Sequence, residues 1–186
     1  MTAVIPSHEA GIVEDETELQ AARNLQELLD SATLLFMRHQ LDHAVLFRLS
    51  SDAGALVFPL VPTLPSVVEP LHSAIVQKAH PAFWGCGHGI AVRTFADLQA
   101  GSRSVLVQSL RQAFHAVRLD HVYELPLQAD KEDRFILEVG RVGRPIARDE
   151  LREMQRMAEL IPQKLPWFMR RLPTKRAEPC LDYLVI

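Results

Sequence analysis

Two pairs of short apolar segments constrain the fold of this chain more than any other feature of its sequence. The first pair lies at residues 43–49 and 55–60, and the second lies at residues 121–127 and 134–142. Gly, Ser and Asp separate the members of the first pair, and QADKED follows HVYELPL in the second. Apolar runs of this length around polar turn residues favour antiparallel strands. The sequence therefore predicts two β-hairpins.

Helical periodicity before, between and after these hairpins completes the predicted architecture. Apolar residues at three- and four-residue steps predict one long helix from Asp15 to about His39. A second helix is expected from Ser66 to His80, a third in SRSVLVQSLRQAFHAVRL, and a last one from about Asp149, which Pro162 kinks or breaks. The resulting order predicts an α+β fold, in which helices pack on an antiparallel sheet.

Composition and charge narrow the class of protein. A chain of 186 residues with 48% hydrophobic content can bury one substantial core, so we expect one domain. Twenty basic and twenty-three acidic residues leave a net charge of -3, which creates no field that attracts nucleic acid or an anionic membrane. The sequence predicts no direct nucleic acid binding by this chain.

The cysteines and the N-terminal sequence indicate a cytoplasmic protein. Cys86 and Cys180 are the two cysteines, and MTAVIPSHEAG lacks the basic start and apolar core of a signal peptide. Charged residues, His or Pro interrupt every apolar run before it reaches the roughly 18 to 20 residues that a membrane-spanning helix needs. We expect free thiols and no membrane partner.

The stretch from about Leu41 to Leu172 resembles the GAF-like sensor domain that precedes the DNA-binding module in bacterial LuxR-type regulators. The matching features are the His80-Pro81 pair, TFADL, FHAVRLDHVYELPL, EVGRVGRPIARDEL and MQRMAELIPQKL. In that family, an arginine closes the last strand, an acidic residue opens the last helix and a proline interrupts that helix. The resemblance implies a GAF/PAS-like antiparallel sheet and a sensor domain at 14–172, followed by a tail or linker at 173–186. Residues 1–13 lack periodicity, and we expect them to be mobile.

The resemblance also implies a function and a set of partners. It predicts a homodimer, formed through the first and last helices, that binds a small molecule without a cofactor and controls transcription through an attached or partner DNA-binding module. The sequence ends at RRLPTKRAEPCLDYLVI without a helix-turn-helix. The tryptophan, tyrosine and aspartate spacing of acyl-homoserine-lactone receptors is absent, so that ligand is not assigned. A stand-alone regulator that binds a protein partner is the alternative function.

The segment PAFWGCGHG, residues 81–89, brings together several residue types that can bind a ligand or a metal or take part in catalysis. Cys86 and His88 have the spacing of a thiol beside an imidazole, but no orienting group or oxyanion hole accompanies them, so a thiol enzyme remains a weaker alternative and no catalytic residue is assigned. Together with His72 and His80 they match no compact zinc pattern, and no metal site is predicted. A purely structural turn, with Cys86 packed as a small apolar residue, is as consistent with the three glycines.

The remaining interpretation makes PAFWGCGHG one wall of a ligand pocket. In GAF-like domains, the irregular segment between the central helices covers the cavity over the sheet. Aromatic rings can stack on an apolar ligand, glycines allow backbone groups to approach it, and a histidine can supply a polar contact. The opposite wall would come from the sheet. The predicted ligand contacts are Phe47, Phe58, Phe83, Trp84, Cys86, His88 and Tyr123.

Overall fold

The helices and the two hairpins follow one another in the order that the sequence predicts. The computed structural model describes residues 16–50, 54–61, 65–76, 91–94, 105–127 and 133–169. The helices are α1 (Leu25–Arg38), α2 (Pro65–Val76), α3 (Val105–Ala116), α4 (Arg148–Ala158) and α5 (Leu160–Met169). The strands are β1 (His43–Ser50), β2 (Gly54–Val61), β3 (Ala91–Thr94), β4 (His121–Leu127) and β5 (Asp133–Gly140). Residues 16–21 are also helical.

The strands form one five-stranded antiparallel sheet in the order β2-β1-β5-β4-β3. Both predicted hairpins are present, because β1 pairs with β2 and β4 pairs with β5. The predicted α+β class, with helices on an antiparallel sheet, is confirmed. The edge strand β3 was not predicted, since its four residues, AVRT, are too few to show an alternation.

Alternation along the strands divides the core between the two faces of the sheet. Helices α1, α4 and α5 cover one face, which we call the α1/α4/α5 face. Its strand residues include Leu46, Phe58, Tyr123, Leu125, Leu137 and Val139. Helices α2 and α3 cover the other face, the α2/α3 face. Its apolar strand residues are Val45, Phe47, Leu49, Val122 and Ile136.

The prediction of one continuous helix up to His39 is wrong, because the chain leaves helical geometry between residues 21 and 25. Asn24 is the N-cap of α1, and its side-chain oxygen accepts a hydrogen bond from the Glu27 backbone N–H at 2.9 Å. The Glu27 carboxylate in turn accepts from the Arg23 backbone N–H at 2.8 Å. This reciprocal pair satisfies amides that an uninterrupted helix would have bonded internally, and it starts a new helix.

The predicted interruption near Pro162 is confirmed, and it falls three residues earlier, at Glu159. Pro162 has no N–H to bond the Ala158 carbonyl, so the helix cannot continue unchanged through that turn. Helix α4 begins at Arg148, one residue before the predicted Asp149. The predicted terminal segments, 1–13 and 173–186, lie outside the described residues, and the domain boundaries stay predictions.

Candidate functional site

Three ionisable side chains lie inside the sheet. His43 at the start of β1, Glu124 in β4 and Glu138 in β5 expose 0%, 0% and 2% of their surface. The Nε2 atom of His43 lies 2.9 Å from the Oε1 atom of Glu138, so an imidazole–carboxylate hydrogen bond joins two neighbouring strands. Buried charged groups are rare unless they are paired, which makes this trio the most unusual feature of the described core.

Register places all three on the α2/α3 face. Glu138 faces Val45 on one side and Glu124 on the other, and alternation puts them on the same face as Ile136. The His43 ring lies edge-on to the ring of Phe114 in α3, with the ring centroids 5.3 Å apart. The site is therefore an apolar wall, formed by the sheet and two helices, that contains a few polar groups.

The direct pairing of Glu124 with Glu138 has an energetic cost. Like charges that face each other across an antiparallel pair destabilise a sheet, and burial increases the cost because little water screens them. The His43 imidazole meets Glu138 from the other side and offsets part of that cost. Carboxylates are rarely buried in the core of a sheet, so Glu124 and Glu138 are candidates for contact with a ligand.

Gly140 allows the histidine end of the site to pack closely. This residue faces His43 in β1 and Val122 in β4. A Cβ atom at position 140 would lie 2.9 Å from Leu119 Cδ2 and 3.6 Å from His43 Cβ. The missing side chain therefore leaves room for Leu119 beside the histidine.

The three predicted contacts in the sheet do not share a wall. Phe47 lies on the α2/α3 face, whereas Phe58 and Tyr123 lie on the α1/α4/α5 face. The Tyr123 hydroxyl accepts a hydrogen bond from the Ile146 backbone N–H at 3.1 Å, beneath the loop that leads to α4. The expectation of one common wall is wrong because these residues occupy opposite phases of the strand alternation.

The other predicted contacts, Phe83, Trp84, Cys86 and His88, lie outside the described residues. Their roles as ligand contacts, and the thiol and turn alternatives, stay predictions. His72 lies in α2, and His80 also lies outside the described residues. Within the described part of the chain, no group of three or more His, Cys, Asp or Glu side chains is arranged to hold a metal ion.

On the far side of the sheet, Arg141 joins the end of β5 to two helices, and we call this set of contacts the Arg141 clamp. Its guanidinium donates to the carbonyl of His39 at 2.5 Å and to that of Gln40 at 3.2 Å. It also pairs with the carboxylate of Glu150 in the first turn of α4. Arg141 thus links the end of the last strand to an acidic residue at the start of the last helices.

The Arg141 clamp affects the ionisation of Glu150. Hydrogen bonds from the Arg141 guanidinium hold the pKa of Glu150 below its ordinary value of 4.5, although partial burial acts in the opposite direction. The arginine also binds carbonyls at the C-terminal end of α1, where a cation is favoured by the helix dipole. One buried cation thus binds carbonyls at the end of one helix and a carboxylate in the first turn of another.

Sequence reasoning missed His43, Glu124 and Glu138, although the sequence contains a signal for two of them. HVYELPL and RFILEVG each contain one glutamate in an otherwise apolar strand. In the observed hairpin, Glu124 faces Glu138, and Leu125 faces Leu137. The two charges therefore meet across the hairpin, which a register argument can find. The contact with His43 depends on β1 pairing with β5, which local pattern does not reveal.

Three solved structures are similar to this chain in fold. CepR2 of Burkholderia cenocepacia, an N-acylhomoserine lactone dependent LuxR family transcription factor, is 13% identical, with a TM-score of 0.62 over 89% of this chain and 99% of that chain. Escherichia coli SdiA is 16% identical, with a TM-score of 0.65 over 92% of this chain and 71% of that chain. The phycocyanobilin-bound GAF domain of a cyanobacterial phytochrome is 11% identical, with a TM-score of 0.58 over 91% of this chain and 100% of that chain.

These likenesses confirm the GAF-like fold that the sequence resemblance predicted. No family model and no curated protein matches the chain. Among the described residues, no helix has both the length and the apolar character needed to cross a membrane.

Proposed function

We propose that this chain is a ligand-sensing regulatory domain, in which a small molecule binds on the α2/α3 face of the sheet. The observation that carries the proposal is the buried set of His43, Glu124 and Glu138 in an otherwise apolar wall. Small-molecule sites are typically apolar cavities with a few polar groups that fix the orientation of the ligand. The site would act in the cytoplasm, and its output would be transcription through an attached or partner DNA-binding module.

The chemistry of the carboxylates limits the ligand. Ionised carboxylate oxygens accept hydrogen bonds and cannot donate them. A molecule that contacts Glu124 or Glu138 would therefore present N–H or O–H groups, while an apolar portion lies against Phe47 and Val45. The fold neighbours agree with a sensing role, since CepR2 is described as dependent on an N-acylhomoserine lactone and the phytochrome domain holds phycocyanobilin.

The proposed contacts differ from the sequence prediction in the sheet. Phe47 is retained, and Glu124 and Glu138 replace Phe58 and Tyr123, which face α1, α4 and α5 instead. The predicted contacts in PAFWGCGHG are retained as the opposite wall. We propose no catalytic residue; loss of turnover in Cys86→Ala would be needed to support a thiol enzyme instead.

A thermal-shift screen tests the proposal. A compound that binds only the folded protein raises its melting temperature, by an amount that follows concentration and affinity. Screening should use metabolites with amide, amine or hydroxyl groups on an apolar body. The hit should stabilise the wild-type protein and should fail to stabilise Glu124→Gln and Trp84→Ala.

The matched control is Glu159→Gln, which makes the same chemical change at the junction of α4 and α5 and should leave the response unchanged. Equal stabilisation of Glu124→Gln and the wild type would contradict the proposed site. If no compound stabilises the wild type, while the apo protein forms a stable complex with a full-length regulator, the stand-alone protein-binding alternative replaces the proposal.

We further propose that the domain forms a homodimer through α1. Leu34 and Met37, one turn apart on this helix, are 50% and 55% exposed. Asp30 and Arg38 flank Leu34 at equal distances along the helix. In an antiparallel pair of α1 helices centred on Leu34, Asp30 of one copy faces Arg38 of the other. The surface is thus complementary to itself, as a two-fold interface requires. Trp167 on α5 is also exposed, at the other predicted interface helix.

Sedimentation velocity tests the dimer. Leu34→Ser should shift the protein to the monomer, whereas Val105→Ser, at an equally apolar exposed position on α3, should not. Asp30→Arg should weaken the dimer, and the charge-swapped double variant Asp30→Arg with Arg38→Asp should restore it. An unchanged dimer in Leu34→Ser, or a double variant that is weaker than the single variant, would argue against this surface.

A further inference from the structure

We infer that the His43–Glu138 hydrogen bond and the Arg141 clamp are two ends of one relay, which transmits the state of the α2/α3 face to helices α1 and α4. The relay lies where the start of β1 meets the end of β5. We call this place the strand junction and define it as residues 39–43 and 138–142. The inference rests on the proposed function for the origin of the signal, but the coupling itself is a property of the folded chain without ligand.

On the α2/α3 face, one side-chain bond ties the two strands together at the junction. His43 is the first residue of β1 and pairs in register with Gly140, the last residue of β5. Its imidazole reaches Glu138, two residues back along β5, at 2.9 Å. A ligand that rearranges Glu138 therefore acts directly on the relative position of these two strand ends.

A second group of bonds ties the same strand ends together beyond the sheet. The Asp42 backbone N–H donates to the Gly140 carbonyl at 3.1 Å, and the Asp42 carboxylate accepts from the Val142 backbone N–H at 2.7 Å. The Arg144 guanidinium donates to the Gln40 side-chain oxygen at 2.9 Å. Movement of one strand end relative to the other would strain several of these bonds together.

The Arg141 clamp connects the junction to the helices. Arg141 follows Gly140 directly, so it moves with the end of β5, and it holds the His39 and Gln40 carbonyls at the end of α1. The same guanidinium holds Glu150 at the start of α4. A displacement of the end of β5 would therefore be passed through Arg141 to both helices.

The junction includes the residue at which α1 ends. Gln40 has a φ of +54°, and the backbone N–H groups of Leu41 and Gln40 bond the carbonyls of Phe36 and Met37, which is a common left-handed end of a helix. Arg141 and Arg144 both bind Gln40 as well. Loosening these two bonds would let the end of α1 move relative to β5.

A double-mutant cycle tests the relay without any ligand. The unfolding equilibrium constants of the wild type, Glu138→Gln, Arg141→Met and the double variant are measured by urea titration. Independent sites change this constant by factors that multiply, to within about twofold. The relay predicts that the double variant departs from the product of the single variants by at least about fivefold, since the second change acts on a junction that is already loosened. Agreement with the product would overturn the relay.

The matched control is Lys164→Met. Lys164 on α5 also binds backbone carbonyls at the end of a helical segment, those of Gln20 and Ala22, but it has no contact with the strand junction. Its combination with Glu138→Gln should follow the product rule. A departure as large as that of the Arg141→Met cycle would mean that the coupling is not specific to the junction, and this too would overturn the relay.

Hydrogen exchange in folded Glu138→Gln provides a second measurement, and His43→Gln replaces it if the first variant does not fold. The relay predicts at least about tenfold faster exchange at Gln40, Leu41 and Leu151, whose amides are bonded in the wild type. Val117, bonded at the end of α3, should not change. Unchanged exchange at Gln40 and Leu151 would contradict the relay. A failed ligand screen would leave both measurements unaffected, so the two proposals fail separately.

Discussion

The two faces of one sheet differ in what they bury. On the α1/α4/α5 face, the described core is apolar apart from the Tyr123 hydroxyl, which accepts a backbone hydrogen bond, and Arg141 at its edge, which binds carbonyls and Glu150. On the α2/α3 face, the same strands carry His43, Glu124 and Glu138 among valines, isoleucine and phenylalanines. Since both faces are built from alternate residues of the same strands, the difference cannot come from strand propensity or from the fold.

The two faces differ in how they contribute to stability and to recognition. An apolar face is sufficient to hold the sheet against three helices, and its packing supplies much of the stability of the domain. A face that keeps buried carboxylates gives up stability relative to an apolar equivalent. We therefore propose that the α1/α4/α5 face serves folding and that the α2/α3 face serves recognition.

The largest expected effect comes from two neighbouring residues of β1 that point to opposite faces. Leu46→Ala should lower the free energy of unfolding by about 3 to 5 kcal/mol, because it leaves a cavity in the fully buried apolar face. Phe47→Leu keeps an apolar side chain and should cost about 1 kcal/mol. Chemical denaturation measures both changes. Ligand-induced stabilisation should survive in Leu46→Ala and weaken in Phe47→Leu, and the reverse pattern would exchange the roles of the faces.

The next effect concerns the buried pair itself. His43→Leu should cost about 3 kcal/mol, since it leaves the Glu138 carboxylate without its imidazole partner in a buried site. The double variant His43→Leu with Glu138→Leu should recover most of this loss and lie within about 1 kcal/mol of the wild type. Urea unfolding of the four proteins measures the cycle. A double variant less stable than His43→Leu would show that the pair contributes to folding as the apolar face does.

A smaller effect is expected on the far side of the sheet, and it depends on pH. Glu150→Gln should lower stability by about 1 kcal/mol at pH 7, because it loses the ionic hydrogen bonds from Arg141. The folded protein lowers the pKa of Glu150, so this contribution is complete above the ordinary value of 4.5 and disappears as the pH falls below it. Thermal unfolding between pH 3 and 7 checks the profile. In an Arg141→Met background, the pH dependence of Glu150→Gln should become much smaller, and what is left comes from His39 and the Ala147 backbone, which also lower the pKa of Glu150.

The smallest effect tests how tightly the site is packed beside His43. Gly140→Ala places a Cβ atom 2.9 Å from Leu119 Cδ2, so that side chain must shift within a buried position. We expect a loss of about 1 kcal/mol in the free energy of unfolding. Leu119→Ala in the same background should relieve the contact, and denaturation of both variants measures the relief. No loss in Gly140→Ala would mean that this end of the site is loosely packed.

Much of the architecture was predictable from local pattern. The two hairpins, α2, α3 and the break near Pro162 all follow from periodicity, turn residues or family resemblance. The break before α1 escaped prediction because Leu19, Ala22 and Leu25 keep three-residue steps across it, while Asn24 and Glu27 form a cap within that pattern.

The site was less predictable than the fold. PAFWGCGHG drew attention by composition, whereas single charges within apolar strands look like ordinary solvent-facing positions. Glu138 alternates with Phe135, Leu137 and Val139, as a residue on an exposed face would. Its burial is decided by α2 and α3, which cover that face from elsewhere in the chain. The alternation of residues along a strand cannot predict a tertiary contact of this kind.

The most direct test of the assignment of recognition to the α2/α3 face is a methyl NMR titration of protein labelled at isoleucine Cδ1. Ile136 reports on the α2/α3 face, and Ile146 and Ile161 report on the α1/α4/α5 face. When the compound found by thermal shift is added, the Ile136 signal should move first and furthest, because the compound contacts this residue directly. A titration that moves Ile146 or Ile161 and leaves Ile136 in place would contradict it.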